Sequence, residues 1–162
     1  MTSYSPIKTP FLMQDQEPPF LTWEEEEVES PIGSTRWVYD PLTAHLTIFK
    51  NISKEPNEGM PWAHLVSEIK SVTIHYGVST IADEMFAGFS LITSIHIPIS
   101  VTAIGQRAFY GCRKLSSVRI PESVKRIGEQ AFAKCIRLTK ITIPPLVSRL
   151  SSGICSGCIR LK

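Results

Sequence analysis

The sequence predicts an α/β solenoid of 23-residue repeats, capped at its N-terminal end by a β-hairpin and a half repeat. The first observation is a repeated segment: IGQRAFYGCRKL at 104–115 is followed 23 residues later by the similar segment IGEQAFAKCIRL at 127–138. The second is an apolar–polar–apolar alternation that opens each repeat, and the third is a pair of β-forming segments around a turn at 40–43. A period in the twenties is typical of stacked strand-and-turn units that bury one another.

The repeats begin at Val72 and fill the rest of the chain. Three are full 23-residue units and the fourth is one residue short: 72–94, 95–117, 118–140 and 141–162. We expect 34–71 to form the cap, because Trp37 and Ile48 belong to β-forming runs and Ile69 keeps the 23-residue spacing to the first repeat. We predict a disordered acidic tail at 1–33, because its five prolines and its run EEEEVE leave little to bury.

Each repeat is expected to open with a short strand. Two columns of Val or Ile lie two residues apart, with Thr, His or Arg between them, which indicates a strand with one buried face. A Leu or Ile three residues earlier completes the pattern L-x-x-I-x-I, the strand half of a leucine-rich repeat. Behind the strand, Ala108, Phe109 and Cys112 fall at helical spacing and the next repeat copies them. We therefore expect about one and a half helical turns on the outer side of each repeat.

The consensus IPxSVxxIGxxAFxxCxxLxx, carried by 97–117 and 120–140, resembles the BspA-like leucine-rich repeats. These repeats occur in surface proteins of oral and gut bacteria and in large protein families of anaerobic protist parasites. The resemblance covers roughly 36–162. It implies a non-enzymatic binding surface that adheres to host cells, matrix proteins or other microbes, as a surface antigen does. The fourth unit departs from the consensus, with Ile154 and Cys155 in place of Ala-Phe, and the first unit has IADEMFAGF.

Composition and charge narrow the class of protein. A chain of 162 residues that is 43% apolar and 20% charged suits one globular domain. Residues 1–71 carry 11 acids and 5 Lys/Arg (net −6), whereas 72–162 carry 4 acids and 12 Lys/Arg (net +8). This asymmetry suits solvated charge that keeps the repeats soluble, an acidic partner, or an acidic head that folds back over the basic repeats. We expect no membrane span and no signal peptide, so only the resemblance points to the cell surface. Asn51-Ile52-Ser53 is a glycosylation sequon, which matters only if the chain is secreted.

The cysteines could have a reactive or metal-binding role, or they could be packing residues of the core. Cys112, Cys135 and Cys158 share one column, and Phe89 holds that column in the first repeat. Because Phe and a free Cys both suit an apolar socket, the column favours packing. Cys155 and Cys158 form a C-x-x-C pair, but a zinc or redox site needs a second ligand pair or a thioredoxin-like context. We therefore predict no metal and no cofactor.

No catalytic or nucleic-acid motif is recognisable in the sequence. The four histidines, His45, His64, His75 and His96, form neither an HExxH pair nor a column. No nucleophile elbow or phosphate-binding loop occurs either, so we predict a protein that is not an enzyme. The basic repeats lack an aromatic ladder on which bases could stack, so we predict no nucleic-acid partner.

The residues between the buried strand positions are the candidate site. In a stacked-repeat protein they line the concave sheet, where ligands usually bind. The predicted ligand-binding residues are Thr73, His75, Tyr76, His96, Arg119, Lys140 and Thr142. The ligand is expected to be a protein or a cell-surface molecule, and the positive charge of the repeats suits an acidic one. Two alternatives remain: an intracellular scaffold that uses the same face, and a structural segment that assembles end to end. For the latter we expect an open apolar edge made of Ile141, Ile143, Ile154 and Leu161.

Overall fold

The structure, a computed structural model, describes residues 36–52 and 59–162, and their strands form two β-sheets. The larger sheet contains, in spatial order, β1 (Trp37–Asp40), β2 (His45–Ile48), β3 (Ser71–Ile74) and β5 (Ser94–His96). The smaller contains β4 (Thr80–Ile81), β6 (Ala103–Ile104) and β7 (Arg126–Ile127). The chain therefore passes from the larger sheet to the smaller one within each of the first two repeats. The predicted tail at 1–33 lies outside the described residues.

The first two strands form an antiparallel hairpin, and β2 then pairs in parallel with β3. The Asp40 carboxylate stabilises the hairpin turn, because it accepts hydrogen bonds from the Leu42 N–H (2.9 Å) and from the Thr43 hydroxyl (2.7 Å). Buried Leu46 pairs with buried Val72, so β2 continues an apolar column of the repeats. The hairpin thus holds the place that a preceding repeat would occupy in the sheet.

The expected helical turns are not present. The one helix in the described part of the chain is a 3-10 helix at Ala63–Leu65, and the outer segments consist of successive turns. Arg107 (φ 52°) and Gly111 (φ 72°) lie in the left-handed region, which interrupts a right-handed helix. The backbone N–H of Phe109 donates to the Ala131 carbonyl of the next repeat (2.8 Å) rather than along its own turn. The prediction was wrong because these turns also direct Ala, Phe and Cys inward at near-helical spacing.

The smaller sheet was not predicted as a sheet. Its strands are two residues long and contain one buried Ile each, which is too short a segment for periodicity to identify as a strand. Asn51 completes the first edge of this sheet, because its Oδ1 accepts hydrogen bonds from the N–H groups of Ser79 (3.0 Å) and Thr80 (3.1 Å). Its Nδ2 also donates to the Ser79 hydroxyl (2.9 Å). Asn51 therefore has a role in the fold that needs no glycan, and Ser53 of the sequon lies outside the described residues.

The third and fourth repeats do not form the opening strands that the repeat pattern predicts. At 118–120 and 141–143 the chain forms no regular strand, and one parallel bridge joins Ser117 to Lys140. Pro121 and Pro144 follow these segments and lack the N–H that a longer ladder would use. The apolar side chains of the third repeat nevertheless remain in the core, where Val118 and Ile120 are buried.

A stack of aromatic rings runs through the core. Trp62, Phe86, Phe109 and Phe132 follow one another at centroid distances of 6.0, 5.5 and 5.1 Å, with interplanar angles of 20°, 12° and 11°. All four side chains are fully buried. The Trp62 indole N–H also donates to the Met85 carbonyl (3.3 Å), so the first ring is held by the following repeat. Aliphatic columns from both sheets surround the stack.

Gly128 marks the closest approach between two repeats, and its replacement tests how tightly they pack. A Cβ at Gly128 would clash with the Gln106 backbone nitrogen and would lie 2.6 Å from the Gly105 carbonyl carbon. Because backbone atoms cannot move aside, we expect Gly128→Ala to lower the free energy of unfolding by at least about 2 kcal/mol. Urea unfolding measures this, with Glu129→Ala at the exposed neighbouring position as control. Equal stability of the two variants would contradict the close packing.

Candidate functional site

The larger sheet has one face in the core and one face toward solvent. Of the predicted ligand-binding residues, Thr73 and His96 lie in its strands, and His75 and Tyr76 follow β3 directly. We call Thr73, His75, Tyr76, His96, Arg119, Lys140 and Thr142 the sheet face. Thr73 lies in β3 between buried Val72 and Ile74, and its partner across the ladder is His96 of β5. Thr73 is half-buried and His96 is exposed. The structure thus brings together one hydroxyl and one imidazole on neighbouring strands.

His75 and Tyr76 extend this pair beyond the end of β3. The His75 ring lies 5.5 Å from the Phe49 ring at an angle of 48°, and its backbone N–H donates to the Ile48 carbonyl (2.7 Å). His75 is consequently half-buried and held in place, whereas 54% of the Tyr76 side chain is exposed. An exposed aromatic ring beside a fixed imidazole is a suitable anchor for a protein ligand.

The cationic members of the sheet face, Arg119 and Lys140, lie in the third repeat. Both are exposed, as is Thr142 of the fourth repeat, and an isolated parallel bridge pairs Lys140 with Ser117. The structure does not pair Arg119 with His96 or with Thr142, because no regular strand forms at 118–120. The cationic residues therefore follow the Thr73–His96 pair along the chain without joining its ladder.

Sequence reasoning missed His45 at the opposite end of the sheet. The His45 Nδ1 lies 2.7 Å from the Ser71 hydroxyl, and the same histidine stands opposite Asp40 across the hairpin. Hydrogen bonds from the Thr43 hydroxyl and from the Leu42 N–H hold the pKa of Asp40 below its usual value. The alternation of His45, Leu46 and Thr47 in a predicted strand was the signal that could have found this cluster. The solvent side of the sheet thus carries an acid at its hairpin end, and cations follow its last strand, β5, along the chain.

The cysteine column is part of the core. Cys112 and Cys135 are fully buried, and their thiols donate to the carbonyls of Phe86 (3.3 Å) and Phe109 (3.2 Å) in the preceding repeats. Burial raises the pKa of Cys135 to about 12 and that of Cys112 well above its usual value. The packing interpretation is therefore confirmed for both, since a protonated, buried thiol is a poor nucleophile and a poor metal ligand.

The two cysteines of the C-x-x-C pair occupy repeat positions: Cys158 continues the cysteine column, and Cys155 continues the column of Phe109 and Phe132. Cys158 donates to the Phe132 carbonyl (3.1 Å), as the column cysteines before it do, and Cys155 follows Phe132 by one repeat. Both are half-buried free thiols, and burial raises the pKa of Cys155 to about 11. Within the described ranges no group of three His, Cys, Asp or Glu side chains could hold a metal ion. The pair thus has the surroundings of a repeat position rather than of a zinc or redox centre.

The sequence matches the family described as BspA type leucine rich repeat region (6 copies) over residues 63–162. This match covers more than half of the chain, and the chain therefore belongs to the BspA-type leucine-rich-repeat family. The family consists of protein-interaction modules that are typically not enzymes. No curated protein matches the sequence significantly.

Solved structures show the same fold. The leucine-rich-repeat protein TpLRR of T. pallidum is similar with a TM-score of 0.61 and 20% identity, over 82% of this chain and 69% of its own. A leucine-rich-repeat protein from Bacteroides ovatus is similar with a TM-score of 0.56 and 21% identity, over 78% of this chain and 44% of its own. These likenesses establish a leucine-rich-repeat fold.

One further similarity is shorter. A leucine rich cell surface protein from Faecalibacterium prausnitzii is 42% identical with a TM-score of 0.47, over 50% of this chain and 21% of its own. The chain thus spans less than half the length of this protein and of the Bacteroides ovatus protein. Among the described segments, none forms a helix with the length and apolar character needed to cross a bilayer.

The raised thiol pKa values predict a loss of stability at high pH. The folded protein keeps Cys135 protonated up to a pKa of about 12, whereas the unfolded chain releases this proton near the ordinary value of 9.0. The unfolded state therefore binds fewer protons between these pH values, and the free energy of unfolding falls as pH rises. The slope is up to about 1.4 kcal/mol per pH unit for one thiol.

Urea unfolding at pH 8 and at pH 10.5 measures the effect. We expect the fall in stability between these two pH values to be smaller in Cys135→Ala than in the unchanged protein, by about 2 kcal/mol. Cys158→Ala is the control, because this half-buried thiol has a smaller contribution. The same fall in Cys135→Ala as in the unchanged protein would contradict the raised pKa.

Proposed function

We propose that this chain binds a protein or cell-surface ligand through the sheet face and serves in adhesion. The observation that carries the proposal is the Thr73–His96 pair, whose strands are packed into the core on one side and open to solvent on the other. Three further members of the sheet face, Tyr76 in the first repeat and Arg119 and Lys140 in the third, are exposed. Membership of a family of protein-interaction modules supports binding as the function.

The chemistry of the sheet face suits a polar ligand with acidic groups. Hydroxyls and imidazoles can donate or accept hydrogen bonds, and Arg119 and Lys140 provide two permanent cations. Charge complementarity of this kind raises the association rate and selects against basic partners. Adhesion at a cell surface follows from the family resemblance. An intracellular scaffold would use the same face, and protein found only outside fractionated cells would exclude it.

Charge reversal on the sheet face tests the proposal. We expect His96→Glu, Arg119→Glu and Lys140→Glu together to weaken binding to host cells or matrix proteins by about tenfold or more, because like charges repel an acidic ligand. The readout is the fraction of labelled full-length chain that is retained on cells or on matrix-coated plates.

A control variant makes the same change in net charge elsewhere. Lys125→Glu, Arg126→Glu and Ser148→Glu replace two cations and one neutral residue, all exposed and near the smaller sheet. This variant should bind as the unchanged chain does, and both variants should unfold at similar temperatures. Unchanged binding of the sheet-face variant, or equal loss in both, would exclude this face as the binding surface.

We further propose self-association through the fourth repeat as a second candidate function. Of the residues expected at an apolar edge, Ile154 is buried, and Ile141, Ile143 and Leu161 are half-buried. Other apolar side chains of this repeat are exposed instead: Leu146 at 53%, Leu150 at 68% and Ile159 at 80%. Exposed apolar side chains that form one patch are a feature of association surfaces, and the proposal is that these three side chains form such a patch.

Light scattering at increasing protein concentration tests self-association. We expect a mass that rises with concentration, and we expect Leu150→Lys with Ile159→Lys to remain monomeric, because a buried lysine is costly at an interface. Leu42→Lys is the control, since Leu42 is an equally apolar residue, 95% exposed, in the hairpin turn. A strictly monomeric unchanged chain at high concentration would contradict this proposal.

A further inference from the structure

A column of cations precedes the buried leucines of three successive repeats. Lys114, Arg137 and Arg160 stand directly before Leu115, Leu138 and Leu161. The first two leucines are fully buried and the third packs against the core, whereas all three cations are exposed. The column therefore follows from the repeat, because each leucine points into the core and the cation before it is left in solvent.

Backbone hydrogen bonds hold the cations in register. The Thr139 N–H donates to the Ser116 carbonyl (3.1 Å) and the Lys162 N–H donates to the Thr139 carbonyl (3.2 Å), which links the three loops that follow the cations. Loops joined in this way are spaced like neighbouring strands, at about 4.8 Å. Arg113 and Lys162 flank the column and are also exposed. We call Arg113, Lys114, Arg137, Arg160 and Lys162 the basic edge.

Within residues 36–52 and 59–162, acids do not compensate the charge of the basic edge. The sequence from 130 to 162 contains six Lys or Arg and no Asp or Glu, and 109–121 likewise contains no acid. Among the described residues, none forms an ion pair with a member of the basic edge. Like charges at this spacing repel one another, so an anionic ligand that bridges several of them would be favoured.

We propose that the basic edge binds a linear sulfated polysaccharide that runs along the repeats. Such a polymer carries anionic groups on many sugar positions, which suits cations repeated at each step of about 4.8 Å. Guanidinium groups, as in Arg113, Arg137 and Arg160, bind oxyanions through two parallel N–H donors. None of these residues belongs to the sheet face, and the proposal goes beyond the function proposed above.

Other polyanions fit the basic edge less well. An extended acidic peptide presents carboxylates on one side only every second residue, about 6.6 Å apart, which does not match the step between repeats. The backbone N–H groups of Thr139 and Lys162 are already bonded, so a peptide could not add to this edge as a strand. Single-stranded nucleic acid is typically held by rings on which its bases stack, and the Tyr110 ring already has Arg107 at 4.3 Å and Lys134 at 5.2 Å.

Binding of the full-length chain to heparin, a sulfated polysaccharide, tests the proposal. The variant Lys114→Gln, Arg137→Gln and Arg160→Gln should elute from a heparin column at lower salt and lose about 10- to 100-fold in affinity. The dependence of affinity on salt should also become less steep, because fewer counterions are released on binding. The matched control, Lys125→Gln, Arg126→Gln and Arg149→Gln, removes the same charge near the smaller sheet and should stay within about threefold.

Competition identifies the class of polyanion. We expect soluble heparin to displace the chain, and we expect hyaluronan, poly-glutamate and oligo-dT to displace it weakly. An equal loss of heparin affinity in both triple variants would show that binding depends only on net charge, and this result would overturn the proposal. Poly-glutamate or oligo-dT that competes as well as heparin would overturn it in favour of an acidic protein or a nucleic acid. Absence of heparin binding at low salt would overturn it outright, whatever the sheet-face variants show.

Discussion

The fold depends on the stack of buried rings from Trp62 to Phe132. Each ring lies flat against the next at 5.1 to 6.0 Å, so each repeat completes the core of its neighbour. The backbone follows the same step, since the Phe86 N–H donates to Ala108 and the Phe109 N–H donates to Ala131. One inserted residue would therefore misplace a ring and leave buried backbone groups unbonded, which is costly. This shared constraint explains why the chain repeats its length as well as its residue types.

The same constraint explains which residues are small or unreactive. Gly105 and Gly128 lie where the backbones of adjacent repeats approach too closely for a Cβ. Cys112 and Cys135 fill apolar sockets and each spans one step by donating a thiol hydrogen bond to a Phe carbonyl of the preceding repeat. The interior thus has little freedom to vary, and the chemistry that distinguishes one repeat from another is confined to the solvent side.

Two solvent surfaces result, and they differ in character. The sheet face combines hydroxyls, imidazoles, an exposed Tyr76 and two cations, so contacts with it can be directional and specific. The basic edge contains cations alone and would bind mainly by charge, with strong dependence on salt. The second, third and fourth repeats contribute to both surfaces, which makes each surface suitable for a ligand that extends across several repeats.

The sequence by itself determined the repeat length, the buried columns and the family, because apolar residues must recur at the step between stacked units. It also identified the cysteines as packing residues, since Phe89 occupies the same column. Only the tertiary structure decided that the outer segments are turns, because left-handed residues such as Arg107 and bonds to the next repeat replace helical bonds. It also placed Trp62 in the ring stack, 24 residues before Phe86, and gave Asn51 its bonds at the edge of the smaller sheet. These features depend on contacts between distant parts of the chain, and local periodicity carries no information about them.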